Sequence, residues 1–123
     1  MDGYGKELIL DLHECNPKKF TRYYIKKFFQ ELCALIDMEP CKICFWDYRG
    51  RPGEYEKAPA HLKGTSAIQF ISTSNITIHA LDELKCVYIN IFSCKDFYNI
   101  DASRFCENYF EGKVRHSQTI ERI

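Results

Sequence analysis

A serine, a histidine and a cysteine at positions 74, 79 and 94 lie in stretches that alternate like strands. Thr73-Ser74-Asn75-Ile76-Thr77-Ile78-His79 reads as a turn running into a strand. Ile76 and Ile78 fall on one face, and Asn75, Thr77 and His79 on the other. Val87 to Cys94 reads as a second strand, with Val87, Ile89 and Ile91 on one face and Tyr88, Asn90, Phe92 and Cys94 opposite. With Ser74 in the turn that leads into its strand, a hydroxyl, an imidazole and a thiol could therefore meet on one side of a sheet. A serine oxygen can attack its own backbone, an imidazole can move protons near neutral pH, and a thiol can donate one. Each residue also has an ordinary reading. Serine is a common turn residue, His79 has the phase of a solvent-facing strand histidine, and Cys94 ends a strand. Cys15 ends an earlier strand in the same way, so that place admits a cysteine without chemistry.

The elements that must hold these residues follow from periodicity. Leu8 to Cys15 predicts a strand, as do Cys41 to Tyr48, Ser66 to Ile71 and Asn75 to Ala80. A helix is expected from Asn16, with Pro17 suited to its first turn and a stripe of Phe20, Tyr24, Phe28, Leu32 and Leu35. A second is expected near Asp101, with Ala102, Phe105, Tyr109 and Phe110 as its stripe. Arg49 to Lys63, with Gly50, Pro52, Gly53 and Pro59, reads as a loop. Short connections at Ser72-Thr73-Ser74 and at Asp82 to Lys85 favour antiparallel pairing. The expected fold class is α+β, a two-layer sandwich of a mainly antiparallel sheet with two helices on one face. Two strand-helix units with similar endings suggest an internal duplication.

Composition narrows the function classes. The 123 residues predict a single domain, 1–123, with 46% hydrophobic residues and room for a core. Seventeen basic residues balance seventeen acidic ones, which argues against a nucleic-acid or membrane surface. No apolar run approaches the ~20 residues of a membrane span, and the start lacks the pattern of a signal peptide. A cytoplasmic location is expected. The cysteine count is seven, an odd number, so no disulfide framework is expected. Cys41-Lys42-Ile43-Cys44 is a lone CxxC without a second ligand pair, and no metal is expected. Tyr55, Phe45 and Trp46 are candidate stacking surfaces for an aromatic base. Tyr88 and Phe92 on the open face would expose an apolar patch, which predicts a homodimer.

The spacing Ser74-x4-His79, with Cys94 fifteen residues further on, resembles the small prokaryotic S-adenosylmethionine decarboxylases. The opening Gly5-Lys6-Glu7-Leu8-Ile9-Leu10-Asp11-Leu12 is similar to that family's first strand. The resemblance implies a chain that cuts itself before Ser74, which then becomes an N-terminal pyruvoyl group. It implies His79 as helper in the elimination, Cys94 as catalytic acid and Ser66, eight residues before Ser74, as a further family serine. It also implies S-adenosylmethionine as substrate, a product used for spermidine, and a dimer with active sites near the interface. The family's Glu-Ser-His is Thr73-Ser74-Asn75 here. Its His-Thr-Trp-Pro-Glu is His79-Ala80-Leu81-Asp82-Glu83, keeping as Glu83 the acid that binds ribose hydroxyls. These departures leave two alternatives, a pyruvoyl decarboxylase of a smaller amino acid and a non-cleaving homologue that serves as a binding or regulatory subunit.

Overall fold

Alternation builds most of the strands. In the computed structural model, which describes residues 3–123, β1 (Gly5–His13) buries Leu8, Leu10 and Leu12 on one face. The same reading gives β3 (Gly64–Ile71), β4 (Ser74–Leu81) and β5 (Cys86–Ser93). β2 (Pro40–Trp46) lies on one edge, and β6 (Lys113–Arg122) on the other. The order is β2-β3-β4-β5-β1-β6, and every neighbouring pair is antiparallel.

Two long helices cover one face. Thr21 caps α1 (Arg22–Leu35), accepting from the Tyr24 amide, and α3 spans Asn99–Phe110. α1 buries Ile25, Phe28, Phe29, Leu32 and Cys33, while α3 buries Ala102, Cys106 and Phe110. Phe28 is the centre of the layer, with its ring against those of Phe29, Phe105, Tyr109 and Phe110. Beneath it lie Leu8, Leu10, Ile76, Ile78, Val87, Ile89 and Ile91 from the central strands.

The α+β class, the antiparallel sheet and the two covering helices match the sequence reading, and several details differ. Asn16 caps a 3-10 turn, Pro17–Lys19, and the α-helix begins only after Thr21. Leu35 is 49% exposed, while Ile25 and Phe29 are buried. A stripe built on steps of four drifts around a helix of 3.6 residues per turn. The buried set 25, 28, 29, 32, 33 keeps to one face. The expected loop at Arg49 to Lys63 contains a short helix, α2 (Pro52–Lys57). β6 was not expected from the sequence, because nearly all its residues are exposed and it carries no apolar alternation. The crossovers do not repeat. The one through α1 joins β1 to β2 past three intervening strands, and the one through α3 joins β5 to β6 past one.

No described helix is long and apolar enough to cross a membrane. All seven cysteines are free. Cys41 and Cys44 lie three apart on β2, an odd spacing that places them on opposite faces of an extended strand. Among the described residues no group of His, Cys, Asp and Glu could hold a metal.

Candidate active site

Register decides which candidates meet. The β3–β4 hairpin turns on Ser72 and Thr73, and its closing pair is Ile71 with Ser74. Counting back along both strands puts Ser66 directly opposite His79. Their side chains touch, with Ser66 Oγ 2.6 Å from His79 Nδ1. Either the hydroxyl donates to a bare Nδ1 or it accepts from a protonated one. Both arrangements fix the ring's orientation. His79 also lies opposite Tyr88 of β5, whose hydroxyl is pushed above the ordinary phenol range, chiefly by burial and then by the charges of Cys86 and Asp11. These residues line a cavity of about 320 Å³ on the helix-free face, together with Cys44, Trp46, Thr77 and Asn90. Of the three candidate stacking aromatics, Trp46 stands on this open face. Phe45 also lines the cavity while packing against the core, and Tyr55 lies elsewhere.

A second cluster forms at the other end of β4. Thr73 carries the carbonyl that a Ser74 oxygen would attack. That carbonyl accepts a hydrogen bond from the Cys94 amide at 3.1 Å. The Thr73 hydroxyl is tied to Ser93 Oγ at 2.8 Å, and Ser93 is fully buried. The peptide group between Thr73 and Ser74 is therefore gripped from the end of β5, on both its carbonyl and the preceding side chain. An amide aimed at a carbonyl oxygen stabilises the negative charge that builds there when a nucleophile adds. Asn75 Nδ2 donates to Ser74 Oγ at 3.2 Å, holding the hydroxyl beside that bond. The hairpin's positive φ, 157°, falls on Ser74 itself, just short of fully extended. The Cys94 thiol is half-buried, one residue past the pairing of Ser74 with Ser93.

The two clusters do not meet within one chain. Ser74 and His79 are five residues apart on an extended strand, about 16 Å at ~3.3 Å per residue. The expected grouping of serine, imidazole and thiol is therefore split: Ser66 meets His79, while Ser74 pairs with Ser93 beside the Cys94 amide. Glu83 lies in the turn after β4, ion-paired with Lys63 at 2.9 Å. Beside it Tyr55 donates to Asp82 at 2.7 Å. That bond, with burial, pushes the Tyr55 hydroxyl up to about 12, and desolvation raises the Asp82 carboxyl.

The sequence reading missed the Cys94 amide, the Thr73–Ser93 clamp and the placement of Tyr88. A signal existed for the last. A four-residue turn after Leu81 forces His79 opposite Tyr88, as a two-residue turn after Ile71 forces Ser66 opposite His79.

Known proteins resemble this chain in sequence family and in fold. Residues 6–123 match the family model described as S-adenosylmethionine decarboxylase. An S-adenosylmethionine decarboxylase proenzyme of Oceanobacillus iheyensis is 30% identical over 97 residues, covering 78% of this chain and 68% of its own length. S-adenosylmethionine decarboxylase proenzyme 1 of Bacillus anthracis is 28% identical over 126 aligned positions, covering 99% of this chain and 86% of its own. The crystal structure of the adenosylmethionine decarboxylase from Aquifex aeolicus superposes with a TM-score of 0.78 at 15% identity, covering 99% and 92% of the two chains.

Proposed function

The chain belongs to the S-adenosylmethionine decarboxylase family, and from that premise we propose that it cleaves itself before Ser74 and decarboxylates S-adenosylmethionine. The observation that carries this reading is the grip on the Thr73–Ser74 peptide by the Cys94 amide. Ser74 Oγ adds to the Thr73 carbonyl carbon while the Cys94 N–H supports the developing oxyanion. The C–N bond then breaks, leaving an ester in place of the amide. Removal of the Ser74 α-proton by an imidazole expels Thr73 as a carboxylate. Uptake of water and loss of ammonia turn the residue at 74 into a pyruvoyl group. The residues fit that group, because Ser74 opens a strand opposite Ser93, with the Cys94 amide on the Thr73 carbonyl. The bound pyruvoyl supplies the electron sink for loss of carbon dioxide. Cys94 gives its proton to the substrate carbon that lost the carboxylate. Glu83 holds the ribose hydroxyls, and Trp46 offers a stacking face beside the His79 cavity.

The separation of the two clusters makes the functional unit a homodimer in this reading. Both clusters belong to β4 and its immediate neighbours. A second copy laid against the helix-free face by a two-fold axis brings one protomer's Ser66–His79 pair to its partner's Ser74 and Cys94, giving two sites per dimer. The face is suited to burial. Trp46 is 71% exposed, Phe70 42% and Ile68 38%, a patch of the kind that marks interfaces.

Denaturing mass spectrometry tests the first step. Freshly purified protein is expected as two fragments, residues 1–73 and a pyruvoyl-blocked 74–123, and Ser74→Ala is expected intact. A wild-type chain that stays whole after long incubation, with no release of carbon dioxide from S-adenosylmethionine, would instead identify a non-cleaving homologue.

A further inference from the structure

Glu7 of β1 stands one strand outside the His79 cavity and touches its lining at Asn90. Asn90 pairs with Thr77 of β4 on one side and Ile9 of β1 on the other, so its side chain shares their helix-free face. Glu7, two residues before Ile9, has the same parity. Its Oε2 accepts from Asn90 Nδ2 at 2.6 Å, and its Oε1 accepts from the Arg122 guanidinium at 3.2 Å. Arg122 also lies over the Phe92 ring at 4.9 Å, so the carboxylate is braced from β6. A carboxylate offers acceptors only, which turns the NH2 end of Asn90 to Glu7 and leaves Oδ1 for a ligand. Among the described residues, the bond to Glu7 is the only hydrogen bond of the Asn90 side chain.

We propose that Asn90 binds the α-amino group of the substrate through Oδ1, and that Glu7 is the residue positioning its amide. This deepens the decarboxylase reading and rests on it for the identity of the amine. Donation to a carboxylate polarises an amide, which makes its oxygen a stronger acceptor. No aspartate, glutamate, lysine or arginine lines the cavity, so a cationic N–H donor meets this acceptor there and no competing cation. A carboxylate in the place of Asn90 would hold the amine as an ammonium ion. The neutral amide takes one N–H and leaves the amine free to act as a nucleophile. The cavity also separates this acceptor from the stacking face. Cys44, Ile68, Thr77 and Asn90 pair in one row across β2, β3, β4 and β5. Three strand spacings of about 4.8 Å set Asn90 about 14 Å from the β2 edge, where Trp46 stands. A base stacked on Trp46 lies at one side of the cavity, and the amino-acid end of the same molecule reaches Asn90 at the other.

Two readouts test this. Nuclear magnetic resonance follows the side-chain amide of Asn90 in the free protein, assigned by its loss in Asn90→Leu. That signal is expected to move in Glu7→Gln, and a signal that stays in place overturns the positioning role. The second readout compares S-adenosylmethionine with the adenosyl dimethylsulfonium ion, which keeps the base, ribose and sulfonium but has no amino-acid chain. Asn90→Leu is expected to lower kcat/KM for S-adenosylmethionine at least about 10-fold, as for loss of a hydrogen bond to a charged group. Glu7→Gln can turn either end of its own amide to Asn90, and a loss of about 3-fold is expected. Inhibition by the dimethylsulfonium ion is expected to change less than about 2-fold in both variants, since that ion makes no bond to Oδ1. An unchanged kcat/KM, or a parallel loss of inhibition, overturns the inference. A wild-type chain that turns over no S-adenosylmethionine ends the decarboxylase reading, and calorimetry then compares binding of the two compounds. Tighter binding of S-adenosylmethionine that disappears in Asn90→Leu upholds the inference, and binding that is equal or absent overturns it.

Discussion

The two faces of the sheet are made from the same strands, yet they have opposite character. On the helix side β4 presents Ile76, Ile78 and Ala80, all almost completely buried. On the other side the same strand presents Asn75, Thr77 and His79, all half-buried. β5 repeats the division, with Val87, Ile89 and Ile91 against Tyr88, Asn90 and Phe92. A strand has a period of two, so one short segment can seal a core with one parity and carry chemistry with the other. The lesson is that stability and function are interleaved along β4 and β5. Changes one residue apart are expected to differ in kind.

The largest expected effect is on the sealed face. Phe28 is fully buried among four other rings, so Phe28→Ala removes a large side chain and leaves a cavity. The expected cost is about 3–5 kcal/mol in urea unfolding. Phe92 is half-exposed on the other face beneath the Arg122 guanidinium. Phe92→Ala is expected to cost under about 1.5 kcal/mol, because less apolar area leaves water on folding. Equal losses would erase the distinction between the faces.

Next in size is the contrast between two thiols that follow neighbouring strands, Cys94 after β5 and Cys15 after β1. Cys94→Ala, made in processed enzyme, is expected to slow decarboxylation about 10²-fold, which is about 2.7 kcal/mol of barrier. Cys15 is buried, and desolvation, with the Cys86 charge, pushes its thiol up to about 12, so it stays a neutral packing group. Cys15→Ala is expected to lower stability by about 1 kcal/mol and leave turnover nearly unchanged. Parallel slowing in both variants would remove the reason for assigning chemistry to Cys94.

Sequence legibility follows the same division. β1, β3, β4 and β5 could be read because one parity is apolar and the other is not. β6 could not, since an edge strand with neither face buried has no pattern to show. The residue types of the candidate site were legible, and so was Ser66 once a family spacing was recognised. Its contact with His79 is a property of register, which the two-residue turn at Ser72-Thr73 encodes but alternation does not. The Cys94 amide was hidden because backbone groups have no sequence signature.

The open face offers a third test. Phe70 is 42% exposed on β3, opposite Asn75 of the same face. Phe70→Asp puts a charge into the proposed interface while adding little strain to the monomer, whose core it does not enter. Sedimentation velocity is expected to show a homodimer in the wild type and at least a 10-fold weaker one in the variant, about 1.4 kcal/mol. The paired cleavage test should follow association if His79 acts across the interface. A wild-type monomer of 14.5 kDa that cleaves normally would mean that the two clusters meet by another route.

The smallest effect belongs to the rim, where the covering layer is tied to the sheet edge. Arg22 opens α1 and forks onto Asp47, just past β2, with contacts of 2.7 and 2.8 Å. Arg22 also lies over the Phe45 ring at 5.3 Å, so two explanations of its worth compete. Hydrogen bonding to Arg22 holds the Asp47 carboxyl below the ordinary carboxylate range, helped by the Arg49 amide. A carboxyl lowered in the fold adds stability above its unfolded value of about 3.9 and loses it as pH falls through the lowered one. Arg22 is partly solvated, so screening limits the pair to about 0.5–1 kcal/mol. Arg22→Gln is therefore expected to be less stable by that amount at neutral pH, with the gap closing as urea unfolding is repeated toward pH 3. A gap that stays constant with pH would assign the stabilisation to packing on Phe45, since a ring contact does not titrate. The rim would then resemble the sealed face in kind, held by apolar contact rather than by charge.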